Sequence, residues 1–266
     1  MLEKSKCCGC RGCEQICPQK CIRMVGDEEG YLYPEINKEN CVECGLCKKV
    51  CPMLQYESLN QNKENEFYKL ISNDKELIKE STSGGAFTEI TNNIIKKNQN
   101  KNYKIYGCAW QDDMTVKHVA VDDIKDIGIL RKSKYIQSDI GNVYSQIDKE
   151  LRNNYLIIFT GTPCQTVGLK MFLKVKNNRN MENLYTLDLI CHGVPSGKVF
   201  LKYIEFLEKK YKSKIKSFSF RERMKVGNKV DSSCIKIEFE NGKELKEYSF
   251  NNLYMLGFYR GNVFST

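Results

Sequence analysis

The chain has 266 residues, 42 Lys plus Arg against 33 Asp plus Glu for a formal charge of +9, and 41% hydrophobic residues. That length allows one large domain or two unequal ones, and the composition excludes collagenous and wholly disordered chains. Mean hydropathy is -0.50 and the N-terminus MLEKSKCCGC has no apolar h-region, so neither a membrane span nor a secretory signal is expected and the cytoplasm is the expected compartment.

Charge is unevenly placed. Residues 1–57 carry 8 basic and 9 acidic side chains, formal -1, which leaves 34 and 24, formal +10, for residues 58–266. The lysines of the body are scattered among Asp and Glu rather than arrayed in a block, which reads as a solvated surface and not as a nucleic-acid face.

Ten of the 14 cysteines fall within the first 51 residues, and in a chain that is not exported such crowding points to metal rather than to disulfides. Cys7, Cys10, Cys13 and Cys17 followed by Pro18 spell C-x2-C-x2-C-x3-C-P, and Cys41, Cys44, Cys47 and Cys51 followed by Pro52 repeat it 34 residues later. Three thiolates at this spacing wrap three corners of one cubane, and the fourth reaches across to the other cluster. Cys7, Cys10, Cys13 and Cys51 are therefore assigned to one 4Fe-4S cluster, and Cys41, Cys44, Cys47 and Cys17 to its partner. Zinc is the competing metal, but it is usually announced by two C-x2-C pairs with nothing between. Gly9, Gly12 and Gly45 lie between ligands, where backbone N–H groups approach cluster sulfur. Cys8 and Cys21 fall outside the ligand register and read as small buried side chains or spare thiols. Oxygen-labile clusters suit a reducing, anaerobic setting. The stretch between the motifs, Ile22 to Tyr33, reads as a short hairpin, and the whole head resembles a bacterial two-cluster ferredoxin.

After Pro52 a polar Asn/Glu/Lys-rich segment reads as a linker, with a boundary near residue 58. A helix is expected to begin near Gly85, carrying Phe87, Ile90 and Ile94 on one face. Lys104 to Trp110 and Val116 to Val121 read as strands, followed by a helix with Val143, Ile147 and Leu151 on its apolar face. Tyr155 to Thr160 reads as a fully buried strand leading through GTPCQ into the helix TVGLKMFLK, and Leu184 to Ile190 repeats this grammar through CHGVPS into KVFLKYIEFLEKKY. Two such units predict parallel neighbours in one sheet. The end reads as KSFSFRER, then a hairpin turning at Asn241-Gly242 in type I′ geometry, then the helix NNLYMLGFYR. The fold class is α/β, or α+β, with a mixed sheet.

Three Gly-bearing turns, Ser81 to Gly85, Gly161 to Gln165 and Cys191 to Ser196, each precede a helix and are expected on one edge, where ligands gather in open α/β sheets. None is G-x-G-x-x-G or a Walker A loop, and no Ser/His/Asp order stands out, so dinucleotide, nucleotidase and hydrolase readings are unsupported. His118 in mid-strand reads as structural, whereas His192 is placed for a ligand or proton role. Cys164 and Cys191 read as small packed residues or pocket thiols.

STSGGAFT at Ser81 to Thr88, RKSKYIQSDIG at Arg131 to Gly141, TGTPCQTVGLK at Thr160 to Lys170 and DLICHGVPS at Asp188 to Ser196 together resemble the coenzyme F-420 hydrogenase/dehydrogenase beta subunit family. The resemblance implies two domains: a two-cluster ferredoxin domain over 1–57 and a flavoprotein-like domain over 58–266. It also implies bound FAD that exchanges a hydride with a deazaflavin-like carrier and single electrons with the clusters. It places the flavin and substrate pocket on Ser83, Gly84, Gly85, Lys134, Tyr135, Gln137, Gly161, Thr162, Pro163, Cys164, Cys191 and His192. Family members usually continue into another cysteine-bearing segment, whereas this sequence stops at Thr266, so a shortened flavoprotein core is expected. The implied function is an iron-sulfur flavoprotein oxidoreductase that works with a redox partner, possible as a hetero-oligomer. The alternatives are a non-catalytic electron-transfer subunit docking to a larger redox or surface-polysaccharide complex, and a zinc or nucleic-acid module.

Overall fold

The computed structural model describes residues 3–55, 66–226 and 229–261. The expected boundary near residue 58 lies outside these residues. In the head, α1 (Gly12–Ile16) precedes the antiparallel hairpin of β1 (Ile22–Gly26) and β2 (Leu32–Ile36), and α2 (Leu46–Lys49) follows. The body runs α3 (Lys75–Lys79), α4 (Ala86–Lys97), β3 (Tyr103–Trp110), β4 (Val116–Val121), α5 (Val143–Arg152), β5 (Leu156–Gly161), α6 (Pro163–Val175), β6 (Leu184–Asp188) and α7 (Gly197–Tyr211). It ends with β7 (Ile215–Val226), β8 (Lys229–Phe239), β9 (Glu244–Tyr248) and α8 (Leu253–Tyr259).

The central sheet has the order β4-β3-β5-β6, with β3 parallel to β5, β5 parallel to β6 and β4 antiparallel to β3. The mixed sheet and both parallel pairs expected from the repeated strand-turn-helix grammar are present. Leu156, Ile157, Ile158 and Phe159 of β5 are all 0% exposed, because the strand is covered on both faces. Its pleat divides them: Ile157 and Phe159 pack with Ile147 and Leu151 of α5 and Leu169 and Phe172 of α6, while Ile158 faces Ile105, Leu130 and the α4 side chains Phe87 and Ile94. Burying four such residues stabilises the fold by roughly 1.5 to 3 kcal/mol each before entropy is charged.

Helix α6 starts earlier than expected, at Pro163. Proline suits the first helical position, and the Gln165 carboxamide oxygen accepts from Thr162 N at 3.0 Å, closing the first turn. Strand β6 stops at Asp188, two residues before the expected end. It is an edge strand whose only neighbour, β5, runs out at the pair Gly161↔Asp188, and Leu189 and Ile190 are exposed.

The C-terminal strands form a separate antiparallel sheet, β7-β8-β9, instead of extending the central one. The turn at Asn241-Gly242 is not the expected type I′ turn. Only Gly242 has positive φ (+81°), and Phe239 N donates to Lys243 O at 2.9 Å, which is a three-residue loop closed by a left-handed glycine. Phe218 and Phe220 of this sheet pack with Phe200 of α7, Tyr254 of α8 and Trp110 of β3, with ring centroids 4.6 to 6.3 Å apart. This aromatic cluster fixes β7 beside the central sheet.

Head and body share a core. Ile16 and Val50, 6% and 0% exposed, join the cluster formed by α5, α6 and β5.

Candidate metal centre and the cleft beside it

The thiols of the two motifs interleave. Burial raises the Cys7 thiol, and the electrostatic repulsion of Cys51 raises it further. Cys13 is pushed up to about 12, first by burial and then by the charges of Cys7 and Cys51. Cys51 belongs to the second motif by position, yet its sulfur lies among those of the first. The reverse holds at the other end, where Cys21 is pushed up to about 11 by its hydrogen bond with Cys17, with burial and the charges of Cys17 and Cys41 adding to it. Cys17 Sγ and Cys21 Sγ are 3.4 Å apart. Thiols that repel one another as thiolates form a donor set for a cationic cluster. Among the described residues no three His, Cys, Asp or Glu side chains converge closely enough to hold a single metal ion. The eight thiols of the two motifs supply the four sulfur donors that each of two 4Fe-4S clusters takes, so the residues present fit these clusters.

Backbone geometry around the ligands explains the glycines. Gly9 has φ +63°, and a Cβ there would lie 2.8 Å from Gln137 Nε2; Gly45, at φ +73°, caps α2 in the left-handed region. Arg11 adopts φ 59° and turns its guanidinium from the Cys10–Cys13 loop onto the body. It forms a two-pronged ion pair with Asp139 and donates to Glu14 at 2.6 Å.

The seam between head and body is polar and continuous. Tyr31 OH donates to Val194 O at 3.2 Å, Lys198 Nζ to Glu28 O at 2.7 Å, and Ser145 N to the Gln15 carboxamide at 3.0 Å. Cys8, one of the thiols outside the ligand register, acts electrostatically on Cys164, so the first cluster's loop comes close to the turn that opens α6. The neighbouring Cys8 thiol and burial both raise the Cys164 thiol. Its sulfur also lies 3.1 Å from Thr162 Oγ1.

Around that turn hydrogen bonds join the loops to one another, and the surface they share is the candidate cleft. Ser133 N donates to Thr82 Oγ1 at 3.2 Å, which joins the 81–85 turn to the 131–137 segment, and Gln137 N donates to Pro195 O at 3.0 Å, which joins that segment to the 191–196 loop. Gln137 Nε2 reaches Cys8 O at 3.5 Å. Gln165 Nε2 donates to Ser138 O at 3.1 Å, and so ties the 161–165 turn to the same segment. Lys134 Nζ donates to Arg131 O at 2.8 Å; burial lowers its pKa, and the Cys108 charge partly opposes this.

Ser83, Gly84, Gly85, Lys134, Tyr135, Gln137, Gly161, Thr162, Pro163 and Cys164 thus sit on joined loops. The Ser81–Gly85 turn follows helix α3, not a strand, and reaches the others through residues 131–137. Cys191 and His192 stand at the exposed rim. Cys191 Sγ lies 3.8 Å from Gly193 O, while the His192 ring packs edge-on to Phe258, which in turn packs on Tyr135. Two residues that the motifs do not reveal also line the cleft: Arg221 donates to Tyr135 OH at 3.2 Å and Arg223 to Ser83 O at 2.8 Å. Their only sequence signal is the period-two pair in FRER.

His118 is buried and structural. Its Nε2 lies 3.0 Å from Thr160 O and its Nδ1 2.7 Å from Ser138 Oγ, so the ring donates to the carbonyl, accepts from the hydroxyl and remains neutral. Burial takes its pKa from 6.5 down to about 4, with the Thr160 carbonyl opposing. The unfolded chain therefore takes up a proton that the fold refuses. Stability is intact above pH 6.5 and is lost as pH falls toward 4, by roughly 2 kcal/mol at pH 4.5. Urea melts at pH 7 and pH 4.5 should show this loss in the wild type and a smaller loss in His118→Gln; equal losses would contradict the neutral, buried imidazole.

Comparison with known proteins matches residues 6–54 to the model of the 4Fe-4S dicluster domain and residues 155–257 to that of the C-terminal region of the coenzyme F420 hydrogenase/dehydrogenase beta subunit. No curated protein matches the chain. Among solved structures it is similar to a chain of the xenon-derivatised F420-reducing [NiFe] hydrogenase complex from Methanosarcina barkeri, with 18% identity and a TM-score of 0.46. That match covers 67% of this chain and 58% of the other, so the protein spans less than two thirds of its solved neighbour. The chain thus carries a 4Fe-4S dicluster domain over residues 6–54 and, over residues 155–257, a region that matches the C-terminal part of the coenzyme F420 hydrogenase/dehydrogenase beta subunit.

Proposed function

We propose that the protein is an iron-sulfur flavoprotein oxidoreductase that exchanges electrons between a deazaflavin-like hydride carrier and its 4Fe-4S clusters. The observation that carries this reading is the close approach of Cys10 to α6, where a Cβ on Gly168 would stand 3.3 Å from both Cβ and Sγ of Cys10, so that the first cluster's loop lies against the helix that the 161–165 turn opens. Electron transfer needs such proximity, and no separate carrier is required between the two sites.

The residues fit FAD. Arg223 Nε is a buried donor without a partner, and the Gly85 cap of α4 leaves that helix start free of a side-chain cap. When bound, FAD would convert two-electron hydride chemistry into single electrons. Lys134 would set a positive charge beside the ring. Tyr135 is held edge-on by Phe220 and Phe258, so it forms a fixed wall that excludes water. Ligands for the clusters would be Cys7, Cys10, Cys13 and Cys51 for one, and Cys17, Cys41, Cys44 and Cys47 for the other.

No helix among the described residues is long and apolar enough to cross a membrane. A redox partner fits the cleft's rim, where Leu189 and Ile190 are 57% and 104% exposed. The same exposure favours a second reading, an electron-transfer subunit that docks without binding flavin. Anaerobic purification with flavin analysis separates the two. One FAD per chain, bleached by a reduced deazaflavin, is the result expected of the oxidoreductase. Iron and sulfide without flavin would leave only the electron-transfer subunit. In the oxidoreductase, Lys134→Ala should slow flavin reduction on the order of 100-fold.

A further inference from the structure

Strand β7 brings to the cleft a pair of arginines that neither the cysteine motifs nor the glycine turns account for. Arg223 Nη2 donates to Ser83 O at 2.8 Å, which lays its guanidinium on the turn that opens α4. Its Nε is buried and has no hydrogen-bond partner. Arg221 donates to the Tyr135 hydroxyl on the facing wall. The neighbouring cations are already neutralised: Arg131 pairs with Glu80, and Lys132 Nζ meets both oxygens of Glu222 at 2.9 Å. Arg223 makes no ion pair among the described residues; its side chain is half-buried, with the Nε itself out of contact with water.

A buried N–H donor without a partner is costly, and it is retained where an acceptor completes it. The planar fork of arginine matches the paired oxygens of phosphate. Helix α4 adds to the same field. It is 12 residues long, its N-cap is Gly85 at φ +80°, and no side chain caps its first N–H groups.

We propose that Arg223 and Arg221 form an anion subsite that grips a phosphate or diphosphate group of a molecule seated against the joined loops. The proposal rests on reading the cleft as a cofactor site. Two molecules could bring that group: the diphosphate of FAD, or a phosphate carried by the incoming hydride donor.

The test uses the full-length chain, purified without oxygen and freed of flavin, with fluorescence titration by FAD, riboflavin and inorganic pyrophosphate. Removing one charge-assisted hydrogen bond should weaken binding about 10- to 100-fold. If the subsite serves FAD, Arg223→Gln weakens FAD and pyrophosphate by that factor and leaves riboflavin unchanged. If it serves the hydride donor, FAD binding is unchanged in Arg223→Gln while pyrophosphate weakens and KM for a phosphate-bearing deazaflavin rises at constant kcat. Arg223→Lys should recover part of either loss, which a purely structural arginine would not predict, and matched thermal melts exclude misfolding. Weakened pyrophosphate binding in a protein that binds no flavin would keep the subsite and remove the flavin reading. Equal binding of FAD, pyrophosphate and hydride donor by wild type and Arg223→Gln, or an equal loss of riboflavin, would overturn the subsite and leave the flavin reading standing. A wild type that bound neither pyrophosphate nor flavin would overturn both.

Discussion

Replacing Cys51 with Ala should halve the iron content, from about eight to about four per chain, and the cluster lost should be the one held by the first motif. Cys51 comes from the second motif, so a reading in which each motif holds its own cluster predicts the opposite loss. The exchange of ligands is favoured because the Cys51 sulfur acts electrostatically on Cys7 and Cys13. Cys13→Ala should remove the same cluster, and the Cys13→Ala/Cys51→Ala double variant should lose no more iron than either alone. Cys41→Ala combined with Cys51→Ala should lose nearly all of it. Iron and sulfide assays with the spectra of the reduced protein report both patterns. Additive losses from Cys13 and Cys51 would contradict the exchange of ligands between motifs.

The second large effect lies on the seam. Gly168 of α6 faces the head, and a Cβ there would stand 2.9 Å from the Tyr144 hydroxyl and 3.3 Å from both Cβ and Sγ of Cys10. Tyr144 is 0% exposed and its hydroxyl is tied to Gln165 O at 2.8 Å, so it has no room to give. Gly168→Val should therefore destabilise the protein by about 1 to 3 kcal/mol through overpacking. In a chain of this size that lowers Tm by roughly 2 to 4 °C per kcal/mol. Insertion of the first cluster should suffer with it, since Cys10 is the group displaced. Gly168→Ala sharpens the test, because alanine in an open helix gains about 1 kcal/mol over glycine. A raised Tm in Gly168→Ala would show that head and body are not in close contact there.

The parts of this protein that sequence exposes are those governed by local chemistry. Ligand spacing at Cys7 to Cys17 and Cys41 to Cys51 is set by the shape of a cubane, and the apolar run of β5 by burial on both faces; each can be read without knowing the rest of the chain. What depends on distant partners stays hidden. Strand β6 ends at Asp188 because β5 gives out beside it, which the apolar run to Ile190 cannot reveal. Asn241-Gly242 favours a type I′ turn locally, but the bond from Phe239 N to Lys243 O leaves a three-residue loop. Arg221 and Arg223 read as a solvated stretch of strand until the aromatic cluster around Phe220 carries β7 to the cleft. Cys8 reads as a spare thiol, and only the fold brings it to Cys164. The Ile16 and Val50 side chains show no sign in sequence that the head shares its core with α5 and α6.

The claim on which the account rests is that eight cysteine sulfurs of the head hold two cubanes against the body. The most direct measurement is the count of iron, acid-labile sulfide and zinc in the wild-type chain purified without oxygen. About eight iron and about eight sulfide per chain is the predicted result. Zinc without sulfide, or iron near four with all eight cysteines intact, would contradict it.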